Sequence, residues 1–227
     1  YFLNNFYNLE FTFGPYSLII NNMRIGVSLN EVLRDFVGQF LYTYEKYIAP
    51  DTGYMVDDIK SIESEAFLKY FKFDSVDALN RFMYDEVSLE IFGHGDQKYD
   101  NLMTKFNMFL MDIKDEEEHE IEIVSREIHR SIPSTLFFLS KLSCRAENIR
   151  FVQEYEDYWK GIDVLITTCP KALEAKPDGK LSIKVNTAYN VDSKSDFELD
   201  SILEFMNDEN LRDRILNTKI TTYENID

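Results

Sequence analysis

What most narrows the folds open to this chain is the run from Met23 to Phe36, MRIGVSLNEVLRDF. A β-branched stretch stops in a short polar turn and passes at once into an amphipathic pattern, so an alternating period gives way to a helical one within a few residues. A strand that feeds directly into a helix sets the side chains of its turn on the C-terminal edge of a parallel sheet. In this chain that edge carries Ser28 and Asn30. Beyond them Val32, Leu33, Phe36, Val37, Phe40, Leu41 and Tyr44 recur at helical spacing and predict one buried helix face ending before Pro50.

The same alternation returns downstream. Strands are predicted at His119 to Ser125, Ile149 to Val152, Asp163 to Thr167 and Leu181 to Val185. Helices fall between them, one through Tyr99, Leu102, Met103, Phe106 and Leu110 and another carrying Leu136, Phe137 and Leu139 just after Pro133. Strands separated by helices predict an α/β protein, a Rossmann-like parallel sheet with helices on both faces. Residues 51–95 break the pattern into short helical pieces, Ile59 to Phe71 and Asp77 to Asp85, and predict a helical cap inserted at about residues 48–98 of a core spanning 23–192. Residues 1–22, aromatic and β-branched and broken at Gly14-Pro15, predict an extended arm that pairs with its own sheet edge or with a neighbouring subunit. Residues 193–227 predict an acidic helical tail.

Composition sets the partners aside. With 41 acidic against 24 basic residues the net charge is −17, a field that repels nucleic acid and anionic membranes, and no cluster of Lys and Arg interleaved with aromatics offsets it. No apolar run reaches the roughly 18 to 20 residues of a membrane span, and no signal-peptide pattern appears. Cys144 and Cys169 lie without CxxC spacing, as buried thiols in a reducing compartment would. The 18 Phe and 14 Tyr suit a packed interior and adhesive contact surfaces. His94, His119 and His129 have no zinc-ligand spacing, and Trp159 reads as core or sheet-edge packing.

The motif order from Met23 to Asn190 resembles the haloacid dehalogenase-like superfamily, and within it the 5'(3')-deoxyribonucleotidases and their phage-encoded relatives. The first motif of that family ends a strand in Asp-x-Asp-Gly, followed by an apolar pair and often Arg-Asp. Here it reads Ser28-Leu29-Asn30-Glu31-Val32-Leu33-Arg34-Asp35, in which Arg34 and Asp35 match and Glu31 takes the glycine position. The second motif, a strand ending in a Ser or Thr that binds phosphate, is matched by IEIVS ending at Ser125. The fourth, an Asp with three apolar residues and two acids, is matched by Asp163-Val164-Leu165-Ile166-Thr167-Thr168, which ends in two threonines. For the lysine of the third motif Lys141, Lys160 and Lys171 all remain candidates.

The resemblance implies a nucleophile position at Ser28, an acid/base position at Asn30, a phosphate ligand at Ser125 and a metal-binding pair at Thr167 and Thr168, all neutral in this chain. Magnesium demands anionic oxygen ligands, so the expectation is no bound cofactor and no phosphoryl transfer. The same four polar residues, Ser28, Asn30, Thr167 and Thr168, also read simply as caps of strand ends and helix starts. The function expected is that of a catalytically inactive domain acting as a structural or interaction subunit. The phage resemblance places it in the virion (ring, neck or capsid-associated) or the host cytoplasm, with other protein subunits as homo- or hetero-oligomeric partners. The alternative is a nucleotide-binding module or a divergent phosphatase.

Overall fold

The computed structural model describes residues 22–52, 68, 70–115 and 119–224. The predicted arm, up to residue 21, and most of the predicted Ile59 to Phe71 helix lie outside them. Six strands, β1 (Arg24–Ser28), β2 (Glu120–Arg126), β3 (Asn148–Val152), β4 (Val164–Thr167), β5 (Leu181–Val185) and β6 (Phe197–Leu199), form one sheet in the order β3-β2-β1-β4-β5-β6. Every neighbouring pair is parallel. The predicted α/β class and parallel sheet are observed.

The two sheet faces are covered by different residues of the same strands. Ile25 and Val27 of β1, Ile121 and Ile123 of β2, and Val164 and Ile166 of β4 point into one large core. Val124 and Leu165, one step out of phase, enter a second cluster with Trp159, Ile162 and Ala172. Burial on both faces is why β4 reads as a near-continuous apolar run, whereas β5, also buried throughout, alternates apolar residues with Ser182 and Lys184. At Gly26 a Cβ would stand 3.1 Å from side-chain atoms of both Ile162 and Leu165, so a larger residue would have to push them back by a few tenths of an ångström. Trp159 is buried, and its indole N–H donates to the Ala172 carbonyl at 2.7 Å.

The helices are α1 (Phe36–Tyr47), α2 (Ala49–Thr52), α3 (Val76–Arg81), α4 (Leu102–Asp115), α5 (Ser131–Lys141), α6 (Pro170–Glu174), α7 (Ile202–Asn207) and α8 (Glu209–Glu224). Two five-residue π-helical turns, Phe82–Glu86 and Leu89–Gly93, follow α3.

Two boundaries differ from the sequence expectation. The cap was expected at about residues 48–98, which leaves the helix after β1 outside it; α1 instead buries Phe36, Val37, Phe40 and Tyr44 in a separate cluster with Phe71, Phe82 and Phe92. The cap therefore begins with α1, and α4 is the helix that covers the sheet between β1 and β2, through Leu102, Phe106 and Phe109. Val32 and Leu33 belong to the turn ahead of α1 and join the sheet core.

The segment after residue 192, expected to be helical, opens with a strand and packs on the core. Leu199 of β6 pairs in register with Val185 of β5, and Ile202, Phe205 and Ile215 are fully buried in the main core. Its acidity is partly structural, since the Asp196 carboxylate accepts hydrogen bonds from the Ser182 backbone N–H and hydroxyl and pairs with Lys176. A capping box at Ser201 and Glu204 starts α7.

Candidate functional site

Strand order places the site. From β1 the chain moves outward to β2 and β3, then crosses to β4 on the other side of β1, so the connections that leave the C-terminal ends of β1 and β4 run in opposite directions, the position where a crevice forms in such a sheet. Ser28 ends β1 and Thr167 ends β4. Their side chains meet, with Ser28 Oγ donating to Thr167 Oγ1 at 2.7 Å in a buried position. Thr167 Oγ1 also accepts from the Cys169 backbone N–H at 3.1 Å. Thr168 Oγ1 donates to the Asn30 carbonyl at 3.3 Å, which ties the loop after β4 to the loop after β1.

Behind Asn30 lies a charged pair that the sequence did not announce. Arg34 is fully buried, and its Nη2 lies 2.6 Å from Glu127 Oε1. All five guanidinium N–H groups have acceptors. Nε and Nη2 reach Asn30 Oδ1 at 2.9 and 2.5 Å, Nη1 reaches the Phe92 carbonyl and Thr135 Oγ1 at 2.7 and 2.8 Å, and Nη2 also reaches Glu127. The rings of Phe92 and Phe138 flank the cation at 5.1 and 5.4 Å. Burial pulls the Arg34 pKa below its ordinary value, and Glu127 opposes the shift. Ser125 and Thr135 each donate to Glu127 Oε1 at 3.0 Å, whereas Glu127 Oε2 is buried without a hydrogen-bond partner among the described residues.

Glu31 stands where the resembling motif has glycine, and its φ of +62° lies in the left-handed region. Its carboxylate holds the strained turn in place. One oxygen accepts the Val37 backbone N–H at 2.7 Å, capping α1 in place of Asp35, whose side chain makes no cap bond. The other pairs with Lys98 at 2.7 Å, and Lys98 reaches Asp35 at 2.8 Å. Burial alone would lower the Lys98 pKa, but Glu31 and Asp35 outweigh it and hold the ammonium above its ordinary range.

Above this floor a cavity of about 320 Å³ opens between sheet edge and cap. Ser28 and Asn30 line its base; Phe36, Met83, Tyr84 and Phe92 come from the cap, and Tyr155, Tyr158, Cys169 and Tyr189 from the sheet side. Tyr84 and Phe92 stack at 5.4 Å and 16°. Burial raises the phenol pKa of Tyr158 and of Tyr189 well above the ordinary value, so both rings stay neutral at physiological pH.

The structure thus brings Ser28, Asn30, Thr167 and Thr168 together at one edge, with Ser125 joined to them through Glu127, Arg34 and Asn30. Of the three lysine candidates, Lys141 donates to the carbonyls of His94 and Gly95, and Lys160 pairs with Asp157 on the surface. Lys171 lies 5.0 Å from the ring of Tyr155, a cavity-lining residue. Cys144 and Cys169 are not joined in a disulfide, and both are partly rather than fully buried, unlike the buried thiols expected.

The magnesium implied by the sequence resemblance does not fit the side chains present. Hydroxyls and an amide offer dipoles without charge, and among the described residues no group of three or more His, Cys, Asp or Glu is placed to hold a metal ion.

No protein-family model and no curated protein sequence matches the chain. Solved structures do match in shape. A haloacid dehalogenase-like family hydrolase from Streptococcus pneumoniae superposes with a TM-score of 0.57 at 12% identity, over 82% of this chain and 97% of its own. A β-phosphoglucomutase from Clostridium difficile superposes with a TM-score of 0.54 at 15% identity, over 88% and 99%. The chain has the haloacid dehalogenase-like fold. At such identities the likeness is one of backbone architecture, a Rossmann-like sheet with a cap, and the chemistry of the haloacid dehalogenase-like edge in this chain has to be argued from its own residues. Among the described residues no helix is long and apolar enough to cross a membrane.

Proposed function

We propose that this chain is a non-catalytic binding domain built on the haloacid dehalogenase-like fold, its cleft taking an aromatic ligand of about nucleoside or nucleotide size. The observation that carries the reading is the hydrogen bond between Ser28 and Thr167 at the base of an aromatic-walled cavity. The two edge side chains that a phosphoryl-transfer site would need as free carboxylates are neutral and bonded to each other. A cavity of about 320 Å³ sits at the small end of the range for ligand pockets, about 300 to 1,000 Å³. Stacked Tyr84 and Phe92 offer the kind of wall on which a flat ring packs.

None of the three histidines is placed to activate Ser28. His94 packs on Phe137, His119 accepts the Met23 N–H at the opposite end of β1, and His129 lies beside Asp85. The relation to 5'(3')-deoxyribonucleotidases, and the setting of a phage assembly subunit in virion or host cytoplasm, rest on sequence motifs. The arm that motivates a protein partner lies outside the described residues, so the cleft carries the proposal.

Isothermal titration with deoxynucleoside monophosphates, with and without magnesium, tests it. Binding heat that is independent of magnesium, together with no release of phosphate, is the expected result. Steady hydrolysis of a monophosphate that disappears in Ser28→Ala would overturn it.

A further inference from the structure

Charge is shared unevenly between the chain and its cleft. Acids outnumber bases by 41 to 24 in the whole sequence. Among the described residues, however, the cavity lining holds no carboxylate and one formal charge, the guanidinium of Arg126. Arg126 is the last residue of β2, at the same sheet edge as Ser28. Its Nε donates to the Gln153 carbonyl at 2.8 Å, which ties the side chain to the loop after β3. The guanidinium carbon lies 4.9 Å from the centre of the Tyr155 ring, and Tyr155 also lines the cavity. Lys171 of α6 brings its ammonium to 5.0 Å from the same ring. Residues so far apart in sequence form a cluster of cations and aromatic that no short window of the chain contains.

Two cations gathered at one ring repel each other, and the negative face of the ring offsets only part of that cost. An anion beside them offsets the rest. In a cleft with low-dielectric walls the charges at its rim set the field a ligand meets, and they can oppose the net charge of the chain. The seam between β1 and β4 offers no comparable charge, because Ser28 and Thr167 are neutral and bonded to each other.

We infer that Arg126, with Lys171 beside it, is the anion-recognising residue of the cleft, so that the ligand is an aromatic compound carrying a phosphate or carboxylate group. The ring packs on the wall made by Tyr84 and Phe92, and the anionic group lies against Arg126 and Tyr155. A guanidinium suits this role, since its planar fork meets either group with two parallel hydrogen bonds. The seat of the anion thus stands on the β2 side of the sheet edge and not at the β1–β4 seam. The inference rests on the proposed reading of the cleft as an aromatic-ligand site.

Matched ligands on the full chain test it. Each deoxyribonucleoside is titrated calorimetrically against its 5'-monophosphate, and uracil against orotate, its 6-carboxylate. In at least one series the anionic member should bind more than about tenfold tighter than the neutral one, and that series identifies the anionic group. The advantage should shrink to less than about threefold in Arg126→Gln and fall in part in Lys171→Gln. It should persist in Arg24→Gln, which removes a cation at the opposite end of β1. Neutral compounds that bind as tightly as their anionic partners overturn the inference, as does an advantage that survives Arg126→Gln or disappears equally in Arg24→Gln. Should Arg126→Gln not fold, an advantage undiminished in Lys171→Gln overturns it.

If no compound binds, the reading of the cleft falls, and inorganic phosphate decides on the cations alone. Thermal unfolding is then followed in phosphate and in sodium chloride of matched ionic strength. An anion bound to the folded state raises its stability by mass action, so the wild type should gain more from phosphate than Arg126→Gln does. Equal gains in the two proteins overturn the inference; the general effect of phosphate on apolar burial is common to both and cancels in the comparison.

Discussion

Ser28 Oγ donates to Thr167 Oγ1 at 2.7 Å, across the seam where the chain leaves β1 in one direction and returns at β4 in the other. The bond fastens the two strand ends that a ligand-binding crevice would separate, and the Cys169 N–H adds a second contact to the same threonine oxygen. A buried hydrogen bond of this kind contributes about 1 kcal/mol net. Its larger effect is electrostatic, because it leaves the edge neutral, and charge compensation is handed to Arg34 and Glu127 one layer down.

The first prediction concerns restored acids. The combined substitution Ser28→Asp, Asn30→Asp and Thr167→Asp puts three carboxylates at the sheet edge and should create magnesium affinity that the wild type lacks. Like-charged carboxylates at that separation repel, so the triple variant should be less stable than the wild type without the ion and regain stability on its addition. Thermal unfolding with magnesium chloride against sodium chloride at equal ionic strength reads this out. No magnesium-specific shift in a folded triple variant would show that these positions are not the ones the motif order assigns.

The second concerns the ion pair. Removing one partner of a buried pair strands the other charge, at about 3–5 kcal/mol, whereas replacing both with apolar side chains of similar size is often close to neutral. Glu127→Leu and Arg34→Met should each lower the unfolding free energy by that amount. The double variant should lose far less than their sum, since residues in one hydrogen-bonded network do not add. Urea unfolding of the four proteins gives the coupling; additive losses would mean that the pair is not the unit described.

The third uses pH. Lys98 is held above its ordinary value of 10.5 by Glu31 and Asp35. A folded-state pKa raised above the unfolded one contributes stability that is fully present below the unfolded value and is lost as pH rises through the folded one. Unfolding free energy should therefore fall on the alkaline side of pH 10.5, and Lys98→Met, though less stable at neutral pH, should show a shallower fall. Equal alkaline slopes in the two proteins would remove Lys98 from the explanation.

Five of the six strands were legible because their core-facing positions are apolar and mostly β-branched, and they fall within one or two positions of those observed, whereas β6 lay in the segment expected to be helical. The helix periodicity of Phe36, Phe40 and Tyr44 was equally legible, but a period reports that a face is buried and not which surface buries it. That is why α1 was left outside a cap expected at about residues 48–98 and is found within it. Ser28, Asn30, Thr167 and Thr168 could be read as one edge because strand ends converge in any parallel sheet. Glu127 could not. A glutamate just past a strand ordinarily faces water, and only a fully buried Arg34, ninety-three residues earlier, makes it a core residue. Glu31 left one trace, a charged side chain at a glycine position, and the structure explains it by the Val37 cap and the Lys98 pair that offset its backbone strain.

The last prediction concerns the C-terminal segment, where acidic composition suggested a tail. Phe205 is fully buried and meets Phe109 of α4 edge-on, with ring centroids 5.9 Å apart. Arg212 fixes the same corner from α8, its guanidinium 5.5 Å from the Phe109 ring and donating to the carbonyls of Phe205 and Met206. Truncating a buried phenylalanine to alanine removes its transfer free energy and leaves a void, so Phe205→Ala should cost about 3–5 kcal/mol. A protein ended after residue 192 loses β6 and every contact of Ile202, Phe205 and Ile215 with the main core. Because a domain is stable by only about 5–15 kcal/mol, that loss should abolish cooperative unfolding. Circular dichroism through a urea titration distinguishes the outcomes: a truncated protein with a sharp transition and the midpoint of the full chain would mean that the sheet is complete at β5 and that the last strand and helices only rest upon it.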